Sequence, residues 1–192
     1  MGKCEMCRIK EANIHVTMID GTTRELCHDC HNELAAELLD IKLAPFKSGI
    51  YEYSARNGKT HRFIVNKIVM PTGIGYEADE ITENHVPGFK VAIRDGLDCD
   101  QEYLFYKLEA KIKYALSKNY LENGTYPNGQ KYTALKDDEV VGRFEYDEEN
   151  ERIHRVVIDG KVFSWDELGR MLACYEGFQF KLQIYDITDE IT

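Results

Sequence analysis

The placement of the cysteines constrains this chain more than any other feature. Four of the six lie in the first thirty residues, as Cys4-x2-Cys7, nineteen intervening residues and Cys27-x2-Cys30, while Cys99 and Cys174 stand alone. Two thiolates three positions apart in a tight turn can both reach one tetrahedral ion at about 2.3 Å, and two such turns fill its coordination sphere. The first ten residues hold two cysteines and no apolar stretch of the kind a secretory signal needs. Clustering without a leader points to a metal rather than a disulfide framework, and to the cytoplasm as the default location. We therefore expect one structural Zn²⁺ on Cys4, Cys7, Cys27 and Cys30, with iron as the alternative ion that four thiolates also hold. A filled sphere leaves no open position for catalysis. His28 and His31 flank the second pair and are expected to be surface neighbours.

The residues between the pairs read as a hairpin. Residues 13–19 place Ile14, Val16 and Met18 on one face, Asp20-Gly21 is a turn signal, and residues 23–26 return to the second pair. A helix is expected over 31–43, with Leu34, Ala35, Leu38 and Leu39 in helical period and Pro45 as the stop. Such a ribbon is too short to bury a core, so the metal would supply much of its folding free energy.

Taken together, Cys4-x2-Cys7, Ala12-Asn13-Ile14-His15-Val16, Gly21 and Leu26-Cys27-x2-Cys30 resemble a small bacterial zinc-finger head. That head occurs in activators of the bacterial protein-arginine kinase, and a similar one stands at the N-terminus of a Clp-family unfoldase. For residues 1–40 the resemblance implies a zinc-held fold and a role in protein contact within stress and proteolysis systems. No second cysteine set and no Walker motif accompany it, so it carries over no enzymatic activity.

Residues 44–49 form the best boundary, giving a ribbon with trailing helix at 1–43 and a second domain at 46–192. In the latter, strands are expected over 50–56, 60–70, 74–80, 88–94, 139–146 and 152–158, with a final one over 178–185 where Phe178, Phe180, Leu182 and Ile184 alternate. Asn57-Gly58 suggests a type I′ turn, Asp159-Gly160 another tight turn, and 122–131 a loop or open hairpin. A helix follows Asp100, with Leu104, Leu108, Ile112 and Ala115 in one stripe. A second follows Ser164, which with Glu167 fits a capping box. The expected class is α+β, with a largely antiparallel sheet and two main helices.

The rest of the sequence carries little further chemistry. Gly124-x4-Gly129-Gln130-Lys131-Tyr132 fails as a phosphate loop, since Lys comes one position late and Tyr replaces the Ser or Thr. The acidic runs 137–139 and 147–149 lack the alternating ligands of a calcium loop and read as solvated turns. Carboxylates flanking Cys99 would raise its thiol pKa, the wrong direction for a nucleophile, and Cys174 reads as a small core residue. His61, His85 and His154 are scattered, and a structural role is expected for those on strands. Of the twelve tyrosines, Tyr51 and Tyr53 share a strand face, whereas Tyr103, Tyr106 and Tyr114 decorate the long helix.

Charge ranks the function classes. The net charge is -10, and residues 1–45 carry five Lys or Arg against eight Asp or Glu. That balance disfavours phosphate neutralisation, hence nucleic acid and anionic membrane. The expected function is a non-enzymatic interaction or adaptor protein with a protein partner, homo-oligomerisation being left open. A nucleic-acid-binding ribbon and an enzyme with a site in the second domain are the alternatives.

Overall fold

A computed structural model describes residues 2–18, 20–83, 86–148, 150 and 152–191. It shows a mixed α and β chain whose sheets are all antiparallel. The first hairpin pairs β1 (Ile14–Thr17) with β2 (Thr23–Leu26), as the alternation suggests. Ile19, part of the expected first strand, lies outside the described residues.

The helix that follows, α1, runs His28–Leu38 rather than 31–43. It starts three residues early because Cys27 takes the N-cap position. It stops before Pro45 because Asp40 adopts a left-handed φ of 52°. Asp40 N–H then donates to the Glu37 carbonyl and Ile41 N–H to that of Ala36, which closes the helix as a Schellman cap with Asp in the usual glycine place.

The central sheet has the order β3-β4-β5-β6, from β3 (Gly49–Ser54), β4 (Thr60–Met70), β5 (Gly73–Glu80) and β6 (Lys90–Asp95). Burial on β4 alternates strictly, with His61, Phe63, Val65, Lys67 and Val69 on the inner face. The helix α2 (Gln101–Ser117) covers that face, its Leu104, Leu108, Ile112 and Leu116 packing on Tyr53, Phe63, Val65, Tyr76, Ala78, Val91 and Ile93. Asp100 caps it by accepting from the Glu102 and Tyr103 backbone N–H groups. Tyr51 and Tyr53 are therefore used under α2, while Tyr103, Tyr106 and Tyr114 stay exposed. The Asn57-Gly58 turn is not type I′: Gly58 alone has positive φ, and the Gly58 N–H to Ala55 carbonyl bond makes a three-residue loop ending on glycine.

The remaining elements surround a separate small core of Leu121, Leu135, Val156, Ile158, Leu168 and Met171. They are the hairpin β7 (Leu121–Thr125) with β8 (Lys131–Leu135), and a three-stranded sheet of β9 (Gly142–Glu145), β10 (Arg155–Ile158) and β11 (Lys161–Phe163). Stretch 122–131 is thus the hairpin alternative of the two expected, with Asn123-Gly124 inside β7 and the turn over 126–130. Asp159 and Gly160 both have positive φ, as the tight turn requires. The helix α3 (Trp165–Leu172) carries the expected capping box in full, and a 3-10 turn (Ala173–Tyr175) follows it.

The final strand is not formed. Residues 178–185 have no strand pairing, and Phe178, Phe180, Leu182 and Ile184 are 72%, 92%, 69% and 70% exposed. Period-2 patterning supplies the faces of a strand but cannot supply the neighbour that makes it one. Cys174 is likewise exposed rather than core, because it falls in the 3-10 turn after α3 and not on the helix's buried face. Among the described residues no helix is long and apolar enough to cross a membrane.

Candidate metal centre

The four predicted cysteines converge. Their sulfurs all lie within 4.8 Å of one another, with Cys7 Sγ 3.9 Å from Cys27 Sγ, and none is in a disulfide. A metal–thiolate bond of about 2.3 Å in tetrahedral geometry places sulfurs about 3.8 Å apart, so the quartet is close to the size of one ion. Cys4, Cys27 and Cys30 are buried and Cys7 is half-buried, with Leu26, Val16 and Leu34 around them.

Local backbone explains the convergence. The first knuckle folds through Arg8 N–H to the Cys4 carbonyl (2.8 Å) and Cys4 N–H to the Lys10 carbonyl (2.9 Å), with Arg8 itself at φ 58°. The second knuckle is the start of α1, which sets Cys27 at the N-cap and Cys30 in the first turn. Thiolates there meet the positive end of the helix. Burial pushes the Cys4 thiol up, but backbone hydrogen bonds from Cys7, Cys27 and Met6 outweigh it and hold Cys4 at about 6. Backbone hydrogen bonds from Lys10 and Ile9 lower Cys7, whereas burial raises Cys27 and Cys30. The arrangement suits one metal ion held by sulfur alone.

The neighbouring histidines take no part in the quartet. His28 Nδ1 lies 2.7 Å from Asn13 Nδ2, and burial, then His31, lowers its pKa. His31 Nδ1 is buried without a hydrogen-bond partner. Elsewhere, His61 Nδ1 is 2.5 Å from Glu80 Oε1, a buried structural pair, and Glu80 Oε2 accepts from Phe89 N–H. His154 is exposed and precedes β10 instead of lying on it, and His85 falls outside the described residues, as does Glu149 of the acidic turn. Cys99 is half-buried, and burial followed by Asp95 raises its thiol.

The ribbon is joined to the sheet by residues that periodicity does not flag. β3 pairs with β4 only as far as Val65, leaving the far end of that β4 edge open. Asn32 of α1 closes it: Nδ2 donates to the Lys67 carbonyl (2.7 Å) and Oδ1 accepts from Val69 N–H (3.0 Å), as the peptide group of a further strand would. Lys67 turns its buried ammonium to the Ala44 carbonyl (2.8 Å) and Gln101 Oε1 (2.9 Å), with the Phe46 and Tyr76 rings 5.6 and 5.5 Å away. Gln101 also accepts from Ala44 N–H and donates to the Lys42 carbonyl, so the linker after α1 is clamped from both sides. Ser48 adds a hydrogen bond to Asp29, which is ion-paired with Lys10. The only sequence signal for this seam is Asn32 standing four residues before the buried Ala36 on one helix face.

Comparison with known families gives three matches, each to a domain of unknown function: DUF7685 over residues 3–42, DUF7686 over 45–117 and DUF7713 over 120–189. Their limits coincide with the ribbon, the α2-covered sheet and the C-terminal unit. No curated protein and no solved structure matches the chain.

Proposed function

We propose that residues 1–43 form a structural zinc ribbon, one Zn²⁺ held by Cys4, Cys7, Cys27 and Cys30, and that the ribbon docks a protein partner. The chain then acts as a non-enzymatic adaptor in the cytoplasm, in keeping with reduced thiols and with the head's likeness to zinc fingers of stress and proteolysis systems. When bound, the ion supplies a fixed tetrahedral cross-link and no reactive position. The observation that carries the docking role is on the first knuckle. Met6 and Ile9, 50% and 76% exposed, are held in water by a loop whose backbone is pinned on both sides of Cys7. Apolar side chains on a rigid, metal-clamped loop are a preorganised contact surface. Four thiolates around Zn²⁺ add about two negative charges to an already acidic segment, which favours a partner with a basic rim over a nucleic acid.

The test compares wild type with a Met6→Ser/Ile9→Ser variant. Both should contain one zinc per chain by elemental analysis. In cross-linked capture from the source cells, the partner should be lost from the variant alone. Retention of the same partner set by the zinc-loaded variant would sink the docking role.

A further inference from the structure

Residues 178–185 expose four large apolar side chains, Phe178, Phe180, Leu182 and Ile184, which alternate in sequence with Gln179, Lys181, Gln183 and Tyr185. The segment is not a loose end. Phe178 N–H donates to the Tyr175 carbonyl, and the Phe178 ring meets that of Tyr175 edge-on at 5.8 Å. At its far end Asp186 accepts from Thr188 N–H and Oγ1, and Lys111 Nζ binds the carbonyls of Ile187 and Asp189. The match to DUF7713 runs through it to residue 189, so the segment is part of that unit. Among the described residues no strand pairs with it.

We propose that two copies of this chain pair through residues 178–185 as antiparallel strands, on a two-fold axis at Leu182. The segment is complementary to itself in this register. Leu182 faces Leu182, Phe180 faces Ile184, Lys181 faces Gln183 and Gln179 faces Tyr185, so over 179–185 apolar meets apolar and no lysine meets its mate, while Phe178 falls at the end of the ribbon opposite Asp186. The register centred on Lys181, and parallel in-register pairing, both set Lys181 against Lys181, a destabilising like-charge pair. Axes at Phe180 and Gln183 also separate the lysines but overlap only 178–182 and 181–185, so the axis at Leu182 gives the longest stretch with faces and charges both matched. A two-fold contact closes on itself, because each copy uses the same edge of this segment.

The area agrees. The exposed parts of the four side chains amount to roughly 500 Å² per copy, as large as the biggest apolar patches of monomers. Pairing of main chain brings the contact toward the roughly 800 Å² per partner of stable interfaces. A two-stranded ribbon alone is marginal and needs a helix or third strand against its apolar face. Trp165 and Leu172 on α3 and Phe144 on β9 are exposed apolar side chains of the same unit, and in the proposed dimer they cover the ribbon. Anchoring at both ends lowers the ordering cost of association.

Sedimentation equilibrium of the zinc-loaded full chain, from about 1 to 100 µM, should give the mass of two 22.2 kDa chains. Phe180→Ser with Leu182→Ser should return it to one chain with the helical circular dichroism unchanged, since both residues are exposed in the monomer. In a Cys174→Ser background, Leu182→Cys should oxidise to a covalent dimer across the axis. A single-chain mass over the whole range, a dimer that survives the double serine variant, assembly beyond two chains, or failure of Leu182→Cys to cross-link would overturn the proposal. The ribbon plays no part in this contact, so such a failure leaves the docking reading untouched.

Discussion

Asn32 and Lys67 are the two residues whose chemistry is most out of character with their surroundings. Asn32 is a poor helix former placed mid-helix, and it is buried because its amide finishes the hydrogen bonding of β4. Asn32→Ala leaves a buried carbonyl and a buried N–H unpaired, at about 1–3 kcal/mol each. We expect a loss of about 2–4 kcal/mol in urea denaturation followed by circular dichroism; a loss under about 0.5 kcal/mol, the range of an ordinary surface change, would mean that water serves the edge equally well. Among the described residues Lys67 is a buried cation held by carbonyl oxygens and two ring faces and by no carboxylate. Burial lowers its pKa below the ordinary 10.5. The folded protein therefore releases this proton at a lower pH than the unfolded chain, and the lysine's contribution to stability rises with pH between the two values. Lys67→Met, similar in length and uncharged, should flatten that rise. Denaturation of both proteins at pH about 7 and about 9.5 reads the difference, Lys111 being common to each; equal pH slopes would refute the assignment.

At the scale of elements, α3 rests on a capping box in which Ser164 accepts from Glu167 N–H and the Glu167 carboxylate accepts from Ser164 N–H at 2.8 Å. Ser164→Ala should lower the stability of the C-terminal unit by about 1 kcal/mol. Trp165, the one tryptophan of the chain, reports it directly, and an unchanged fluorescence midpoint would show that packing alone starts the helix. This cap was legible in the sequence because all its parts lie within four residues. So were β4, α2 and the cysteine quartet, where alternation, helical stripe or ligand spacing states the requirement locally. The end of α1 was not, because Asp40 takes a conformation usually left to glycine, and Pro45 five residues on offered a more obvious stop. Nor was the fate of residues 178–185, whose pattern is that of a strand while its partner is missing from the described chain. Asn32, Lys67 and Gln101 were illegible for a related reason. Each looks like a surface residue until three distant segments are brought together.

On the scale of the whole molecule, three buried clusters follow the three matched regions, and the joints between them are polar. The C-terminal unit meets the sheet through Arg143 on the Gly88 carbonyl, Lys111 on the carbonyls of residues 187 and 189, and the turn at Gly160, where a Cβ would lie 2.7 Å from the Phe89 ring. The ribbon meets it through Asn32 and the clamped linker. With the proposed ion in place, this last joint would tie the edge of the sheet to metal binding. If the metal is removed, α1 loses its start at Cys27 and Cys30, Asn32 loses its place, and residues 66–70 of β4 become an open template for any other strand. Stripping the protein with a thiol-compatible chelator should then appear as turbidity that grows with protein concentration, faster than for untreated protein and reversed early by added zinc. A chelated protein that stays clear would mean that α1 holds its post without the metal. The ion of a small N-terminal ribbon would in this sense govern the colloidal fate of a domain it never touches.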